Sequence, residues 1–275
     1  MVKLIVDSTC DIPLQEAREM GVELIPMKVR FGEEEYLAGV NLSYEEFYEK
    51  LKKSKVLPHT TQINQNEYVN IIKPFLDNGD EVFVMCISSG LSGTFNSLRM
   101  AKEELNTDKL EVFDTQTVTI AYGALVNEAV RLIKEGATLK QLKKEMERLK
   151  NKVRILAIID NVKYLVKGGR LSMAAGLLAG FLKIKPIVDI VGKVEMRTKA
   201  IGFTMAKKSF CKLVKNVDET KPIYYGHSNS PEKAEEIRQT VEHELGLTFT
   251  KCYELGPIVG TYGGPGCCGI AYFEK

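Results

Sequence analysis

The chain lacks the residues and patterns on which several large classes of protein depend. Its 275 residues include no tryptophan, three histidines and six cysteines, and no two cysteines form a CxxC pair. No zinc-binding spacing is therefore present. The longest apolar stretch, 171–188, contains Ser172, Lys183 and Lys185, so it is too charged to predict a membrane span. The formal net charge is +2 and the lysines are scattered, which gives no basic stripe for nucleic acid.

Nucleotide-binding signatures are missing too. The sequence has no GxxxxGK[ST] loop and no GxGxxG after a strand, so neither P-loop hydrolysis nor a dinucleotide cofactor is expected. These absences favour a binding protein over a self-sufficient enzyme.

The N-terminus and the cysteines indicate the compartment. Met1 to Asp7 runs directly into a strand pattern with no signal peptide. The adjacent Cys267 and Cys268 are poorly placed for a structural disulfide, and we expect all six cysteines to stay reduced. Both observations predict a cytoplasmic protein.

The composition is that of an ordinary globular protein, with 44% hydrophobic and 27% charged residues. Strands and helices alternate in the first half with few hairpin signals, which predicts an α/β domain over 1–155 with a mostly parallel sheet. A hairpin pattern over 184–196 adds antiparallel strands to the second half. We therefore expect an α+β domain with a mixed sheet over 156–275.

The stretch from Glu81 to Met100 is the centre of the functional argument. An apolar run, 82–87, predicts a strand; a Ser/Gly turn and a helical apolar spacing follow it. Unpaired N–H groups and the helix dipole make such a junction a site for phosphate or carboxylate. The alternative is that Ser92 merely caps the helix and the glycines turn the chain.

Three other polar segments have two readings each. Asp7 follows the first strand, where it either faces a ligand or caps the next helix. Thr60, Thr61 and Gln62 form a loop of neutral donors that orients a carboxylate or is simply solvated. Arg170 follows two glycines and either pairs with an anion or lies on the surface.

Other segments give structural expectations. Val22 to Phe31 alternates loosely and predicts one strand, and Met173 to Leu182 is expected to be a buried helix or a lid over an apolar cavity. The tail has six glycines from Gly256 to Gly269, which either admit a ligand close to the backbone or mark a tight crossing.

Two enzymatic alternatives remain open on the residues alone. The segment 90–93 approaches a nucleophile elbow but lacks the residue between Ser92 and the second glycine. A serine hydrolase acting on acyl esters would need His59, His227 or His243 as its base. An enzyme of phosphorylated metabolites would instead need a small polar pocket.

Taken together, the motifs resemble the DegV family of bacterial fatty-acid-binding proteins, and the likeness covers nearly the whole chain. The resemblance rests on these segments: 6–9, 60–62, 88–97, 113–115, 164–165, 167–170, 185–186, 197–199, 226–227 and 260–269.

The resemblance implies two α/β domains that enclose one long-chain fatty acid, with no other cofactor and no metal. It implies that hydroxyl groups of Thr60, Thr61 and Ser92 hold the carboxylate, helped by the backbone at Gly93 and Thr94. A separate ATP-binding kinase then phosphorylates the carboxylate, and the acyl phosphate goes towards phospholipid synthesis. The chain itself would be a monomeric carrier rather than an enzyme, in transient contact with a membrane surface.

Three further positions follow from the resemblance. Arg170 and Arg197 match residues near the site entrance, where we expect them to meet the kinase, the acyl phosphate or both. Tyr262 stands where many members carry histidine, and tyrosine carries no proton that titrates near neutral pH.

For such a ligand, the acyl chain contributes more binding free energy than the carboxylate. Burying about fifteen methylenes at ~0.8 kcal/mol each gives on the order of 12 kcal/mol before ordering costs. A helix dipole adds roughly 0.3–2 kcal/mol to a carboxylate. We therefore expect the apolar tunnel to set affinity and the hydroxyl groups to set orientation.

Overall fold

The computed structural model describes residues 1–171 and 183–275. Their strands form a parallel sheet, a small antiparallel sheet and a mixed sheet. The strands are β1 (Val2–Asp7), β2 (Glu23–Ile25), β3 (Lys28–Phe31), β4 (Glu34–Leu37), β5 (His59–Thr61), β6 (Glu81–Cys86), β7 (Leu110–Asp114), β8 (Val153–Ile158), β9 (Ile184–Val191), β10 (Lys193–Ile201), β11 (Tyr224–His227), β12 (Lys251–Glu254) and β13 (Cys268–Phe273).

The helices lie between the strands along most of the chain. They are α1 (Leu14–Glu19), α2 (Tyr44–Lys53), α3 (Gln65–Asp77), α4 (Thr94–Leu105), α5 (Thr119–Lys134), α6 (Leu139–Lys150), α7 (Lys163–Lys167), α8 (Phe203–Cys211), α9 (Pro231–Leu245) and α10 (Pro257–Gly263). None of the helices in the described ranges is long and apolar enough to cross a membrane. The predicted lid segment, 173–182, lies outside the described residues.

The parallel sheet has the order β2-β1-β6-β7 and confirms the prediction for the first half. β1 and β6 are almost continuously apolar because helices cover both faces of a parallel sheet. Parallel strands end at one edge, so the residues after β1, β6 and β7 come together there. This edge carries the Ser/Gly loop.

The small sheet, β4-β3-β5, corrects two predictions. The segment from Val22 to Phe31 is two strands in different sheets, because Pro26 lacks an N–H group and interrupts the pairing. The predicted polar loop around Thr60 is instead strand β5, in which Thr60 pairs with Val29. Pairing fixes which of its side chains face inwards.

The mixed sheet has the order β10-β9-β8-β13-β11-β12, as expected for the second half. The predicted hairpin is present: β9 and β10 pair antiparallel around Gly192, whose φ of +76° suits a glycine. The predicted domain boundary between residues 155 and 156 falls inside β8. The division into two domains stays a prediction.

Helix α5 joins the two large sheets. It is apolar on nearly all sides, which is typical of a buried helix. Its residues pack in one core with strands of both sheets. Phe83 of β6 and Ala271 of β13 belong to the same core. The mixed sheet is thereby held against the carboxyl-terminal edge of the parallel sheet, and a cavity lies between them.

Candidate functional site

The cavity lies where the parallel strands end against one face of the mixed sheet. Its lining includes Thr9, Ile87 and Val118, each just after a parallel strand. Open α/β sheets place ligands at this edge. The empty space among the lining atoms, including the open entrance, is about 950 Å³.

One side of the cavity, here called the apolar wall, comes from alternate residues of β8 and β9. Ile155, Ala157, Val188 and Ile190 line the cavity. Their neighbours on the same strands, such as Ile187, pack into a separate core with α8 and α9. Successive strand residues point to opposite faces, so each strand contributes to two apolar environments. Because the opposite face also carries apolar residues such as Ile187, the sequence shows no clear alternation, and sequence reasoning missed this wall.

Two glycines on adjacent strands extend the cavity floor. Gly226 of β11 and Gly269 of β13 pair in register, and both line the cavity. A Cβ at Gly226 would lie 2.9 Å from Ile120 Cγ2 of α5. Other tail glycines, including Gly264 beside the Tyr164 ring, serve packing instead. A Cβ at Gly269 would meet the Leu156 carbonyl oxygen, so these contacts favour the tight-crossing reading of the tail, and the ligand reading stays a prediction.

Half-exposed polar side chains gather at the cavity entrance. We call Thr60, Ser92, Arg170 and Tyr262 the entrance cluster; all four line the cavity. Thr60 Oγ1 and Tyr262 Oη are 2.7 Å apart and share a hydrogen bond. The Arg170 guanidinium lies 4.2 Å from the centroid of the Tyr262 ring. The structure thus places three residues from β5, α10 and the α7 end side by side.

Arg170 is fixed by backbone carbonyl groups. Its Nε donates to the Leu91 oxygen at 3.2 Å, and its Nη1 donates to the Gly168 oxygen at 2.6 Å. Within the described parts of the chain, Nη2 makes no hydrogen bond. Stacking on Tyr262 and two carbonyl contacts hold a cation at the cavity lining, which suits a carboxylate or phosphate.

Ser92 lies beside the N-terminus of α4. Its Oγ is 2.9 Å from Thr94 Oγ1 and accepts a hydrogen bond from the Thr94 N–H at 3.3 Å. The N-cap residue, Gly93, supplies no side-chain cap. Ser92 therefore lines the cavity and also satisfies one helix N–H group, so the capping and ligand-binding readings are compatible. Gly93 and Thr94 are adjacent but do not line the cavity.

Two predicted residues lie away from the entrance cluster. Thr61 is exposed on β5, since strand alternation turns it away from the cavity that Thr60 lines. Arg197 lies on β10, half exposed, with Nη1 3.4 Å from Asp189 Oδ2. Asp189 alternates with the cavity residues Val188 and Ile190, so Arg197 faces the other side of the sheet. The binding roles of Thr61 and Arg197 stay predictions that this placement does not favour.

Asp7 has a structural partner set. Its carboxylate accepts hydrogen bonds from the Thr9 N–H at 3.0 Å and the Ile87 N–H at 2.9 Å. Burial raises the pKa of Asp7, while these hydrogen bonds lower it. Asp7 thereby ties the end of β1 to the end of β6, which is the capping alternative rather than the ligand-facing one.

The histidines do not complete a catalytic triad with Ser92 in the described structure. His59 is exposed, His243 pairs with Glu244 on the surface, and His227 accepts from the Ser230 N–H at 3.4 Å. Burial lowers the pKa of His227. None of the three hydrogen-bonds to Ser92, whose side-chain partner is Thr94. Among residues 1–171 and 183–275, no cluster of three or more metal-ligating side chains is found.

Known proteins are similar to this chain in sequence and in fold over nearly their whole length. The family model described as "Uncharacterised protein, DegV family" matches residues 1–275. A DegV domain-containing protein of Clostridium perfringens is 30% identical, covering 100% of this chain and 99% of the relative. The predicted family likeness is confirmed.

Solved structures extend the likeness to the fold. DegV of Bacillus subtilis, described as a fatty acid binding protein, superposes with a TM-score of 0.85 at 30% identity over 100% of this chain and 99% of that one. A DegV family protein of Thermus thermophilus, described by its fatty acid binding, has a TM-score of 0.88 at 25% identity with the same coverage. The predicted α/β fold is confirmed.

Proposed function

Because the chain belongs to the DegV family, we propose that it binds one long-chain fatty acid in the cavity between its two large sheets. The observation that carries the proposal is the shape of that cavity: an apolar lining that opens at one end onto the entrance cluster. A fatty acid has the same division into one long apolar chain and one anionic end. The fatty acid binding of the Bacillus and Thermus relatives supports this assignment.

The carboxylate lies at the entrance cluster in this proposal. Hydroxyl groups of Ser92 and Thr60 donate hydrogen bonds to it, the Tyr262 hydroxyl group donates to Thr60, and Arg170 supplies the positive charge. Gly93 and Thr94 do not line the cavity, so α4 contributes through the positive end of its dipole beside Ser92. Tyr262 therefore takes part as a neutral hydrogen-bond donor.

The acyl chain lies along the apolar wall. Each buried methylene contributes about 0.8 kcal/mol, whereas a hydrogen bond to a charged group contributes on the order of 1.5–3 kcal/mol. A chain of fifteen or more methylenes thus outweighs the entrance cluster in affinity. The entrance cluster sets which end of the ligand faces solvent.

The carrier role is the further part of the proposal. A separate ATP-binding kinase phosphorylates the carboxylate at the entrance, and this chain releases acyl phosphate for phospholipid synthesis. The absence of a P-loop from the sequence and the cation beside the entrance support a division of labour of this kind. We expect Arg170→Glu to reduce acyl phosphate formation more than fatty acid affinity. Arg197→Glu provides the comparison, since Arg197 faces the other side of the sheet.

Mass spectrometry of the purified protein tests the binding function. We expect one long-chain fatty acid per chain in the native spectrum, lost after organic extraction. A protein that carries no lipid and takes up none when it is added would overturn the proposal. A fluorophosphonate adduct on Ser92 would instead favour the hydrolase alternative, because a binding-site serine does not react with that probe.

Ser92→Ala tests the orientation. The substitution removes one hydroxyl donor at the entrance, and we expect weaker binding by roughly tenfold with the chain preference unchanged. Unchanged affinity and unchanged presentation to the kinase would remove the role assigned to Ser92.

A further inference from the structure

The tip of the β9–β10 hairpin contacts the carboxyl-terminal edge of the parallel sheet. Gly192 lies at this tip, and its N–H group donates a hydrogen bond to the Gln116 oxygen at 2.6 Å. The Gly192 oxygen accepts a hydrogen bond from Ser88 Oγ, and the Ser88 N–H group donates to the Thr117 oxygen at 3.0 Å. Three segments that are distant in the sequence therefore meet at one point. We call Ser88, Gln116, Thr117 and Gly192 the junction.

Ser88 is the member of the junction from which the Ser/Gly loop starts. It is 0% exposed and does not line the cavity. Its Oγ accepts a hydrogen bond from the Gly90 N–H group at 3.1 Å, and its carbonyl oxygen accepts from the N–H groups of Leu91 at 3.0 Å and Ser92 at 3.1 Å. A hydroxyl group donates one hydrogen bond and accepts others, so Ser88 Oγ bonds the hairpin and the loop at once. The turn that carries Ser92 is thus built on Ser88.

Two members of the entrance cluster depend on this turn. Ser92 belongs to it, and the Leu91 oxygen accepts a hydrogen bond from Arg170 Nε at 3.2 Å. The hairpin on the other side of the junction supplies Val188 and Ile190 to the apolar wall. The junction therefore fixes the polar groups of the entrance relative to the surface along which the acyl chain is proposed to lie.

The loop and the hairpin approach each other too closely for a side chain at Gly90. A Cβ at this position would overlap the Gly192 carbonyl oxygen. The φ of Gly90 is not positive, so the close approach, and not the backbone conformation, requires a glycine there. The contact between the loop and the hairpin thus depends on a residue of the loop that lies outside the cavity lining.

We propose that Ser88 is a positioning residue for the fatty acid carboxylate: it holds the Ser/Gly loop against the tip of the hairpin and thereby places Ser92 and Arg170. The proposal rests on the proposed fatty acid binding and adds a residue that does not touch the ligand. Hydrogen bonds weaken steeply when their distance or angle departs from the optimum. A displaced loop should therefore weaken the contacts to the carboxylate and leave the apolar wall, which belongs to the mixed sheet, in place.

The test compares hexadecanoic acid with hexadecan-1-ol, which has the same chain length and no charge. In Ser88→Ala we expect the affinity for the acid to fall about tenfold, because hydrogen bonds to a charged group are weakened. The affinity for the alcohol should stay within about twofold, because burial of the chain is unchanged. Isothermal titration measures both ligands.

Ser89→Ala is the matched control for this substitution. Ser89 is the next residue of the same loop, but it is exposed, and its Oγ accepts a hydrogen bond from Gln116 Nε2 at 3.1 Å. The same chemical change at this position leaves the Ser88 contact to Gly192 intact. We therefore expect native affinities for both ligands in Ser89→Ala.

Gly90→Ala tests the same contact from the loop side. The added Cβ separates the loop from Gly192 while Ser88 keeps its hydroxyl group. Gly90 is exposed, so this variant tests the proposal even if Ser88→Ala does not fold. We expect the same selective loss of affinity for the acid, and thermal unfolding of each variant shows whether its fold is retained.

Two results would overturn the proposal. One is a native affinity for the acid in a folded Ser88→Ala or Gly90→Ala protein. The other is an equal loss for the acid and the alcohol, which would mean that the junction shapes the whole cavity and does not act through the carboxylate-binding groups. Failure of the native protein to bind hexadecanoic acid would instead overturn the proposed function.

Discussion

The entrance cluster and the interior behind it treat polar atoms in opposite ways. At the entrance, Thr60, Tyr262 and Arg170 are half exposed and contact one another or backbone carbonyl groups. Farther in, Asp11 and Thr119 are almost fully buried, and the Asp11 carboxyl group and the Thr119 hydroxyl group partner each other. A polar group near water keeps its hydrogen bonds to solvent, whereas a buried polar group without a hydrogen-bond partner destabilises the folded state. The difference indicates that the polar atoms of the interior are there for a reason other than solubility.

The largest effect expected from this comparison concerns the Asp11 carboxyl group. Its pKa rises from 3.8 to about 7 on folding because it is buried. Between those pH values the folded protein keeps a proton that the unfolded chain loses, so stability falls as the pH rises through this window and then levels off. A shift of this size is worth on the order of 4 kcal/mol.

Asp11→Asn should remove this contribution. We expect the free energy of unfolding, measured in urea at pH 4 to 8, to fall less steeply with pH than in the native protein. Asp77→Asn, at an exposed ion pair on α3, is the matched control and should follow the native curve. If the free energies of unfolding of Asp11→Asn and the native protein change with pH in parallel, the Asp11 carboxyl group is not the source of the pH dependence.

Filling the space beside the apolar wall should have the next largest effect. Val188→Phe places a ring where the acyl chain runs, and we expect the affinity for a long-chain fatty acid to fall by about 100-fold or more. Val191→Phe lies on the same strand with Val191 52% exposed, so it should bind as the native protein does. Thermal unfolding of both variants separates loss of the cavity from loss of the fold. If a folded Val188→Phe protein binds fatty acid as the native protein does, the acyl chain does not lie along the apolar wall.

A third prediction uses the alternation of β5. Thr60→Val removes a hydroxyl group from the entrance cluster, and we expect about tenfold weaker binding of the carboxylate. Thr61→Val makes the same chemical change on the exposed side and should alter affinity by less than about twofold. Isothermal titration with one fatty acid measures both. Equal losses would mean that both hydroxyl groups reach the ligand, as the family resemblance implies.

The smallest expected effect is at Tyr262. Tyr262→Phe removes the hydroxyl group that meets Thr60 but keeps the ring beneath Arg170. We expect a loss of about threefold in affinity, since one neutral hydrogen bond contributes roughly 0.5–1.5 kcal/mol. Tyr262→Ala also removes the stacking surface and should cost more. A similar loss in both variants would assign the effect to the hydroxyl group alone.

Local sequence signals predicted individual elements well where they depend on nearby residues. Capping boxes begin α2 and α3, at Ser43 with Glu46 and at Asn64 with Glu67, and each depends on two residues only three positions apart. The hairpin around Gly192 is also present, with longer strands than predicted. Pro26 split one predicted strand into two, because its missing N–H group matters only once the partners of each half are known.

The candidate site was predictable at the entrance and not along the cavity. Thr60, Ser92 and Arg170 belong to short polar motifs, so the sequence indicates each of them as a candidate site residue. Thr61 stands in the same motif as Thr60, and only the pairing of β5 separates their directions. Ile155 and Val188 belong to strands that are apolar on both faces, which hides the side that lines the cavity.

Local patterns were enough to predict most strands and helices, the family and the polar segments, because turns, caps and strand runs depend on residues close together in the chain. Which of those polar residues contact one another depends on the packing of distant elements. Thr60 and Tyr262 are 202 positions apart in the sequence, yet Thr60 Oγ1 lies 2.7 Å from Tyr262 Oη. Such proximity depends on how α5 holds the mixed sheet against the edge of the parallel sheet, and packing between distant elements leaves no local pattern.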